Sequence, residues 1–72
     1  MRAIILVKSP KKLIAARLRS INSVLESFPV SGQFDAVVVI KISDLNKIKD
    51  ITTQIQKISG VERTETMVEV NS

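Results

Sequence analysis

Few side chains of this 72-residue chain can do acid–base chemistry, because it contains neither histidine nor cysteine. Histidine is the commonest general base, and cysteine supplies nucleophilic and metal-binding thiolates. The remaining candidates are the carboxylates Asp35, Asp44, Asp50, Glu26, Glu62, Glu65 and Glu69. We interpret Asp44 as a helix cap, Asp50 as a helix-face charge and most of the glutamates as exposed strand residues. No two of these carboxylates are visibly arranged to have divergent pKa values, as a catalytic acid and base would be. The sequence argues against an enzyme, and we expect no metal and no cofactor.

The whole chain has a net charge of +4, and its basic residues are concentrated in the first third. They are Arg2, Lys8, Lys11, Lys12, Arg17 and Arg19. Such a cluster is compatible with nucleic-acid binding, but for so small a charge excess we favour a solvated, basic helix face. The short apolar run after Arg2 cannot form a signal-peptide core or a membrane span. We expect a cytoplasmic protein that contacts neither nucleic acid nor membrane directly.

Hydrophobic periodicity divides the chain into the order strand, helix, strand, strand, helix, strand. The predicted elements are a strand at 3–7, a helix at 11–21, strands at 24–30 and 35–42, a second helix to about 58, and a strand at 61–70. Ser43 or Asp44 is the predicted cap of the second helix. Ser9 and Pro10 are placed as N-cap and first helical residue, and Gly60 as a C-terminal stop. Gly32 is the predicted positive-φ residue of the connection between the middle strands.

This order predicts a single domain with the ferredoxin-like βαββαβ fold, an α+β arrangement with a four-stranded antiparallel sheet and both helices on one face. The two continuous apolar strands, 3–7 and 35–42, are the predicted central strands. The alternating strand 24–30, which contains Pro29, is a predicted edge. An RNA-recognition role does not fit, because the chain lacks Trp and Tyr, and Phe28 and Phe34 lie outside the predicted central strands.

The sheet face away from the helices should be apolar, because the central strands show no alternation of polar residues. About four large aliphatic side chains would point outward, and burying each is worth roughly 1.5–3 kcal/mol, on the order of 6–12 kcal/mol in all. A small domain without disulfides or metals needs such additional stabilisation. We therefore predict self-association through this face, with dyad symmetry.

Two segments carry a resemblance to a known family. Residues 30–39, VSGQFDAVVV, resemble the Gly-x-aromatic-Asp hairpin of the Lrp/AsnC effector-binding (RAM) domain, and residues 58–66, ISGVERTET, resemble its Gly-Val-x-x-Thr-x-Thr segment. The resemblance covers essentially the whole chain. Because the chain begins at the first strand, it resembles the stand-alone members that lack a helix-turn-helix.

The resemblance implies a function and a site. Family members form dimers through their open sheet faces and then rings of dimers, and they bind an amino-acid effector between dimers near the hairpin. The implied ligand-binding residues are Gly32, Phe34, Asp35, Thr64 and Thr66. Asp35 would accept from an α-ammonium, backbone N–H groups around Gly32 would donate to a carboxylate, both threonines would offer hydroxyls, and Phe34 would form a wall.

Three hypotheses follow. The first is an amino-acid-binding oligomer that modulates transcription regulators, including by co-assembly with full-length Lrp/AsnC proteins. The second is a purely structural self-assembly module, in which Gly32 serves only the turn and the threonines only the edge strand. The third is non-specific nucleic-acid binding through the basic residues of the first third, which would depend steeply on salt.

Overall fold

The computed structural model describes residues 1–70, which form one four-stranded sheet and two helices. In chain order the elements are β1 Arg2–Lys8, α1 Ile14–Leu18, β2 Val24–Pro29, β3 Ala36–Lys41, α2 Asn46–Gln56 and β4 Arg63–Val68. The strand order is β2-β3-β1-β4, and every neighbouring pair is antiparallel. The predicted ferredoxin-like α+β fold is confirmed, with the two continuous apolar strands at the centre and the proline-bearing strand at an edge.

The core lies between the sheet and the helices. Alternate residues of the central strands point into it, because successive side chains of a strand face opposite sides. The buried apolar residues are Ala3, Ile5, Val7, Ile14, Ala15, Leu18, Ala36, Val38, Ile40, Ile42, Ile51 and Ile55. Both helices therefore pack on the same side of the sheet, as predicted.

The opposite side of the sheet carries apolar side chains that no described element covers. We call this surface the open face, and it comprises Ile4, Leu6, Phe28, Val37, Val39 and Met67. Ile4, Phe28 and Met67 are 38%, 40% and 48% exposed, whereas the other three are half-buried by their neighbours on the sheet. The prediction of an apolar face is confirmed. Covering it yields less free energy than the predicted total, which assumed fully exposed side chains.

The first helix is much shorter than the predicted range 11–21. The Oγ of Ser9 accepts a hydrogen bond from the N–H of Lys11 at 3.1 Å, so Ser9 stabilises a turn rather than capping α1. Leu13, at the N-cap position, has a left-handed φ of 67°, which a helix cannot accommodate. The N-cap assignment of Ser9 and the placing of Pro10 in the helix were therefore wrong.

The second helix also begins later than predicted. Asp44 Oδ1 accepts a hydrogen bond from the N–H of Asn46, the first residue of α2, at 2.9 Å, although Leu45 rather than Asp44 occupies the N-cap position. Leu45 is 62% exposed, because it precedes α2 and its side chain does not pack against the sheet. The turn after α2 contains Gly60, whose φ of 95° supports its assignment as a stop.

Strands β2, β3 and β4 differ from the prediction in register or length. The pairing of β2 with β3 shifts between Val24 and Glu26, which makes Leu25 a bulge residue. Val24 therefore faces the helices while Glu26 and Phe28 face the other side, so the predicted single alternation through this strand was wrong. Strands β2, β3 and β4 also stop short of the predicted ends at residues 30, 35, 42, 61 and 70.

Within residues 1–70, no helix is long and apolar enough to cross a membrane.

Candidate functional site

Three of the five predicted site residues lie together in the connection between β2 and β3. Gly32 has a φ of 116°, a value that L side chains rarely adopt, and a Cβ at this position would meet no heavy atom within 4 Å. The conformation of the turn, rather than crowding, therefore requires glycine. Gly32 leaves open space beside the hairpin where a ligand can approach the backbone.

Asp35 is held firmly at the end of the sheet. Its N–H donates to the carbonyl of Val7 at 2.8 Å, and its own carbonyl accepts from the N–H of Val30 at 3.0 Å. The carboxylate Oδ2 accepts from the N–H of Ser9 at 2.8 Å and lies 3.7 Å from the Nζ of Lys8. One carboxylate oxygen thus fastens the loop before α1, which leaves Oδ1 as an acceptor at a partly exposed position.

Two basic residues complete a cluster with Phe34 and Asp35. The guanidinium of Arg63 lies over the ring of Phe34, with 5.1 Å between the guanidinium carbon and the ring centroid. Arg63 is also the cross-strand partner of Lys8 on the open-face side of the sheet. We call Lys8, Phe34, Asp35 and Arg63 the end cluster. It combines an anionic acceptor, two cations and an apolar ring.

Neither Arg63 nor Lys8 is among the predicted site residues. Lys8 was interpreted only as one of the basic residues, and Arg63 lies within the threonine segment 58–66 without an assigned role. The two residues are brought together by the antiparallel register of β4 with β1, which places residue 63 opposite residue 8. Sequence spacing alone does not give that register.

The two threonines lie on the other side of the sheet. Thr64 and Thr66 are paired in register with Val7 and Ile5, whose side chains point towards the helices. The Oγ1 of Thr64 accepts a hydrogen bond from the Nε2 of Gln56 in α2 at 3.1 Å. Within one chain, the structure therefore does not bring the threonines together with the end cluster.

Two hollows border these features. A cleft of about 500 Å³ beside α1 is lined by residues 9–16, Arg19, Pro29 and Asp35. A hollow of about 390 Å³ opens on the opposite end of the open face, next to the ion pair in which Arg2 Nη2 lies 3.0 Å from Glu69 Oε2. The hydrogen bond from Arg2 and its positive charge lower the pKa of the Glu69 carboxyl. In the described part of the chain, no three acidic side chains cluster to hold a metal ion.

Comparison with known proteins identifies the family to which this domain belongs. The Lrp/AsnC ligand binding domain matches residues 2–72, and the chain belongs to that family. This confirms the resemblance drawn from the hairpin and the threonine segment. The family is a regulatory, ligand-binding one, so the chain is not an enzyme. None of the curated proteins matches it.

Solved structures share the fold along nearly the whole chain. The protein TTHA0845 from Thermus thermophilus is 27% identical with a TM-score of 0.89, covering 99% of this chain and 94% of that one. The protein FFRP-DM1 is 25% identical with a TM-score of 0.83, covering 96% of this chain and 97% of that one. The Neisseria meningitidis transcriptional regulator NMB0573, solved in complex with L-Met, is 21% identical with a TM-score of 0.82. The match covers 97% of this chain but 49% of that regulator, and it shows the fold alone.

Proposed function

We propose that this chain is an amino-acid-binding, oligomeric regulatory domain that modulates transcription regulators without contacting DNA itself. The end cluster is the observation that carries the proposal, because its groups complement each part of a free amino acid. The family membership supports ligand binding, and a relative with the same fold is a transcriptional regulator solved with L-methionine. The proposal includes a cytoplasmic location, where such regulators act.

The chemistry of the end cluster fits a zwitterion. Oδ1 of Asp35 can accept from an α-ammonium, and the cations of Lys8 and Arg63 can pair with an α-carboxylate. Phe34 offers an apolar surface to the side chain of the ligand. A contact within the chain already positions each of these groups. Less side-chain conformational entropy is therefore lost when a ligand binds.

Gly32, Thr64 and Thr66 do not belong to the end cluster, and we propose other roles for them in ligand binding. The open space at Gly32 allows a ligand carboxylate to approach the backbone of the hairpin. The threonines lie on the outer strand and towards the helix side, so they can reach the same ligand only from a second copy of the chain. We therefore propose a site shared between chains, in agreement with the location between dimers that the family resemblance implies.

Self-association is the second part of the proposal. The open face presents a continuous apolar surface that is well suited to an isologous contact between two copies. We propose a homodimer through this face and a ring of dimers beyond it, with full-length Lrp/AsnC regulators as further partners. Because the chain has no cysteine or histidine to form disulfides or zinc sites, burial of this face would also stabilise the fold.

A thermal-shift screen of the twenty amino acids, with oligomer mass measured alongside, tests the proposal. At least one amino acid should raise the melting temperature of the wild type. Asp35→Asn should remove that rise, because the amide loses the negative charge but keeps an oxygen that can accept from Ser9. Asp50→Asn, an equivalent change at an exposed position of α2, should leave it intact. The absence of any stabilising amino acid would contradict the binding role.

The alternative is a purely structural assembly module. The contact of Asp35 Oδ2 with the N–H of Ser9 favours it, because this contact gives the carboxylate a structural task that needs no ligand. The alternative predicts the same oligomer in size-exclusion chromatography with light scattering, unchanged by any amino acid. A monomer in that experiment would contradict both functions.

A further inference from the structure

The cleft beside α1 has features that the amino-acid site does not use. Its volume of about 500 Å³ falls within the range of small-molecule sites. The loop before α1 and the end of β2 form its sides, and Asp35 is the one residue that it shares with the end cluster. The cleft is therefore largely separate from the end cluster.

The charge of the cleft is positive and not neutralised. Lys11, Lys12 and Arg19 line it, against the single carboxylate of Asp35. That carboxylate is already engaged by the N–H of Ser9 and lies near Lys8. Among residues 1–70, the side-chain ion pairs are made by Arg2 and Lys8, so the three cations of the cleft have no acidic partner there. An anion would find an attractive potential in this cleft.

Arg19 is positioned in advance for such an anion. Its Nε donates a hydrogen bond to the carbonyl of Ser27 at 2.8 Å, which anchors the guanidinium against β2. The two terminal nitrogens remain available for a bidentate contact with a carboxylate or phosphate. Anchoring reduces the side-chain entropy that is lost when the ligand binds.

Leu13 gives the cleft an apolar wall at a conformational cost. The residue has a left-handed φ of 67° and is 78% exposed. A bulky side chain in this backbone region is unusual, and such strain is concentrated at functional positions. Pro10 and Pro29 add apolar surface beside it. A ligand that uses the whole cleft therefore combines an anionic group with an apolar body.

We propose that this cleft is a second binding site, specific for a small organic anion in which an apolar body carries a carboxylate or phosphate. The assignment rests on the geometry and charge of the cleft, which shares only Asp35 with the end cluster.

An NMR titration of the full chain at low ionic strength tests this site, with phenyl phosphate and inorganic phosphate as probes. The amide signals of Leu13 and Arg19 should shift saturably. Phenyl phosphate should bind about tenfold more tightly, because its ring covers apolar surface. Arg19→Gln should weaken phenyl phosphate binding by about tenfold or more, since a charge-assisted hydrogen bond is lost. Lys12→Gln, at an exposed position, should weaken it without affecting the fold.

Control variants distinguish a specific binding site from general electrostatic attraction of anions to a basic protein. Lys49→Gln, on the exposed surface of α2, lowers the net charge equally and should leave the affinity unchanged. The proposal is overturned if Leu13 and Arg19 show no saturable shift, or if Lys49→Gln weakens binding as much as Lys12→Gln. It is also overturned if a short DNA duplex binds more tightly, with shifts spread over both helices. Phe34→Leu should reduce amino-acid stabilisation but not phenyl phosphate affinity, so the two proposals can fail separately.

Discussion

Leu6→Glu should dissociate the proposed dimer. Leu6 lies on the open face, between its cross-strand partners Val37 and Glu65. The change forgoes the burial of a leucine, about 1.5–3 kcal/mol, and places a carboxylate in an apolar contact, where its desolvation costs several kcal/mol. It also sets two carboxylates side by side on neighbouring strands. Because the dimer is symmetric, it contains the substitution twice, and both costs are doubled. A loss of about 4 kcal/mol is already enough to convert a micromolar dissociation constant into a millimolar one.

Light scattering after size-exclusion chromatography, at micromolar concentration, measures this outcome. The wild type should elute as a dimer or larger, and Leu6→Glu as a monomer. Leu45→Glu makes the same chemical change at an exposed residue before α2 and should keep the wild-type mass. If dimerisation stabilises the fold, the melting temperature of the wild type should also rise with protein concentration.

If Leu6→Glu retains the wild-type mass, the open face is not the contact between copies, because a carboxylate at its centre would disrupt that contact. If Leu45→Glu dissociates the oligomer to the same extent, both changes act through net charge alone, and the open face again has no special role. Circular dichroism of each variant distinguishes a folded monomer from an unfolded chain.

Three further predictions concern stability. Leu13→Gly should stabilise the fold by about 0.5–1 kcal/mol in a urea titration, because relief of the left-handed strain exceeds the added freedom of the unfolded chain. Gly60→Ala should destabilise it by about 1–2 kcal/mol. Part of that loss comes from the Lys11 side chain that lies against Gly60, so Lys11→Ala should recover only the part due to crowding. The pKa of Glu69 is lowered by its hydrogen bond with Arg2, so its contribution is present above the ordinary value of 4.5 and is lost as pH falls through the lower folded value. Glu69→Gln should therefore flatten the decline of stability that urea titrations measure as the pH falls below the ordinary value of 4.5.

The sheet was predictable because its determinants are local. Two unbroken β-branched runs identify the central strands, and a proline identifies an edge, without any knowledge of tertiary contacts. The apolar open face follows from the same runs, since alternate residues of a buried strand must point away from the helices. These features depend only on residue type and on the period of a strand.

The bounds of α1 and the alternation of β2 were not predictable in the same way. The left-handed backbone of Leu13 is unfavourable for a leucine, so no local preference indicates that the helix starts after it. The bulge at Leu25 arises where β2 meets β3, and nothing in the strand's own pattern marks it. In both cases the packing of the whole domain overrides the local signal.

The candidate site was predictable only in part, for a topological reason. Gly32, Phe34 and Asp35 are neighbours in sequence, so recognising the turn was enough to place them together. Arg63 joins them through strand pairing, a long-range contact that the spacing of residues does not reveal. The same pairing directs Thr64 to the helix side, which separates it from the cluster.

The separation of the threonines from the end cluster has a consequence for regulation. If the open face is buried in a dimer, the end cluster lies at the rim of that contact and the outer strand with Thr64 and Thr66 remains available to another dimer. A ligand held by both halves would then bind more tightly to the assembled ring than to the dimer, and by linkage it would favour assembly. An amino acid should therefore raise both the melting temperature and the oligomer mass. A rise in melting temperature at constant mass would mean that one chain, or one dimer, holds the ligand alone, and the threonines would then have only their structural role in the edge strand.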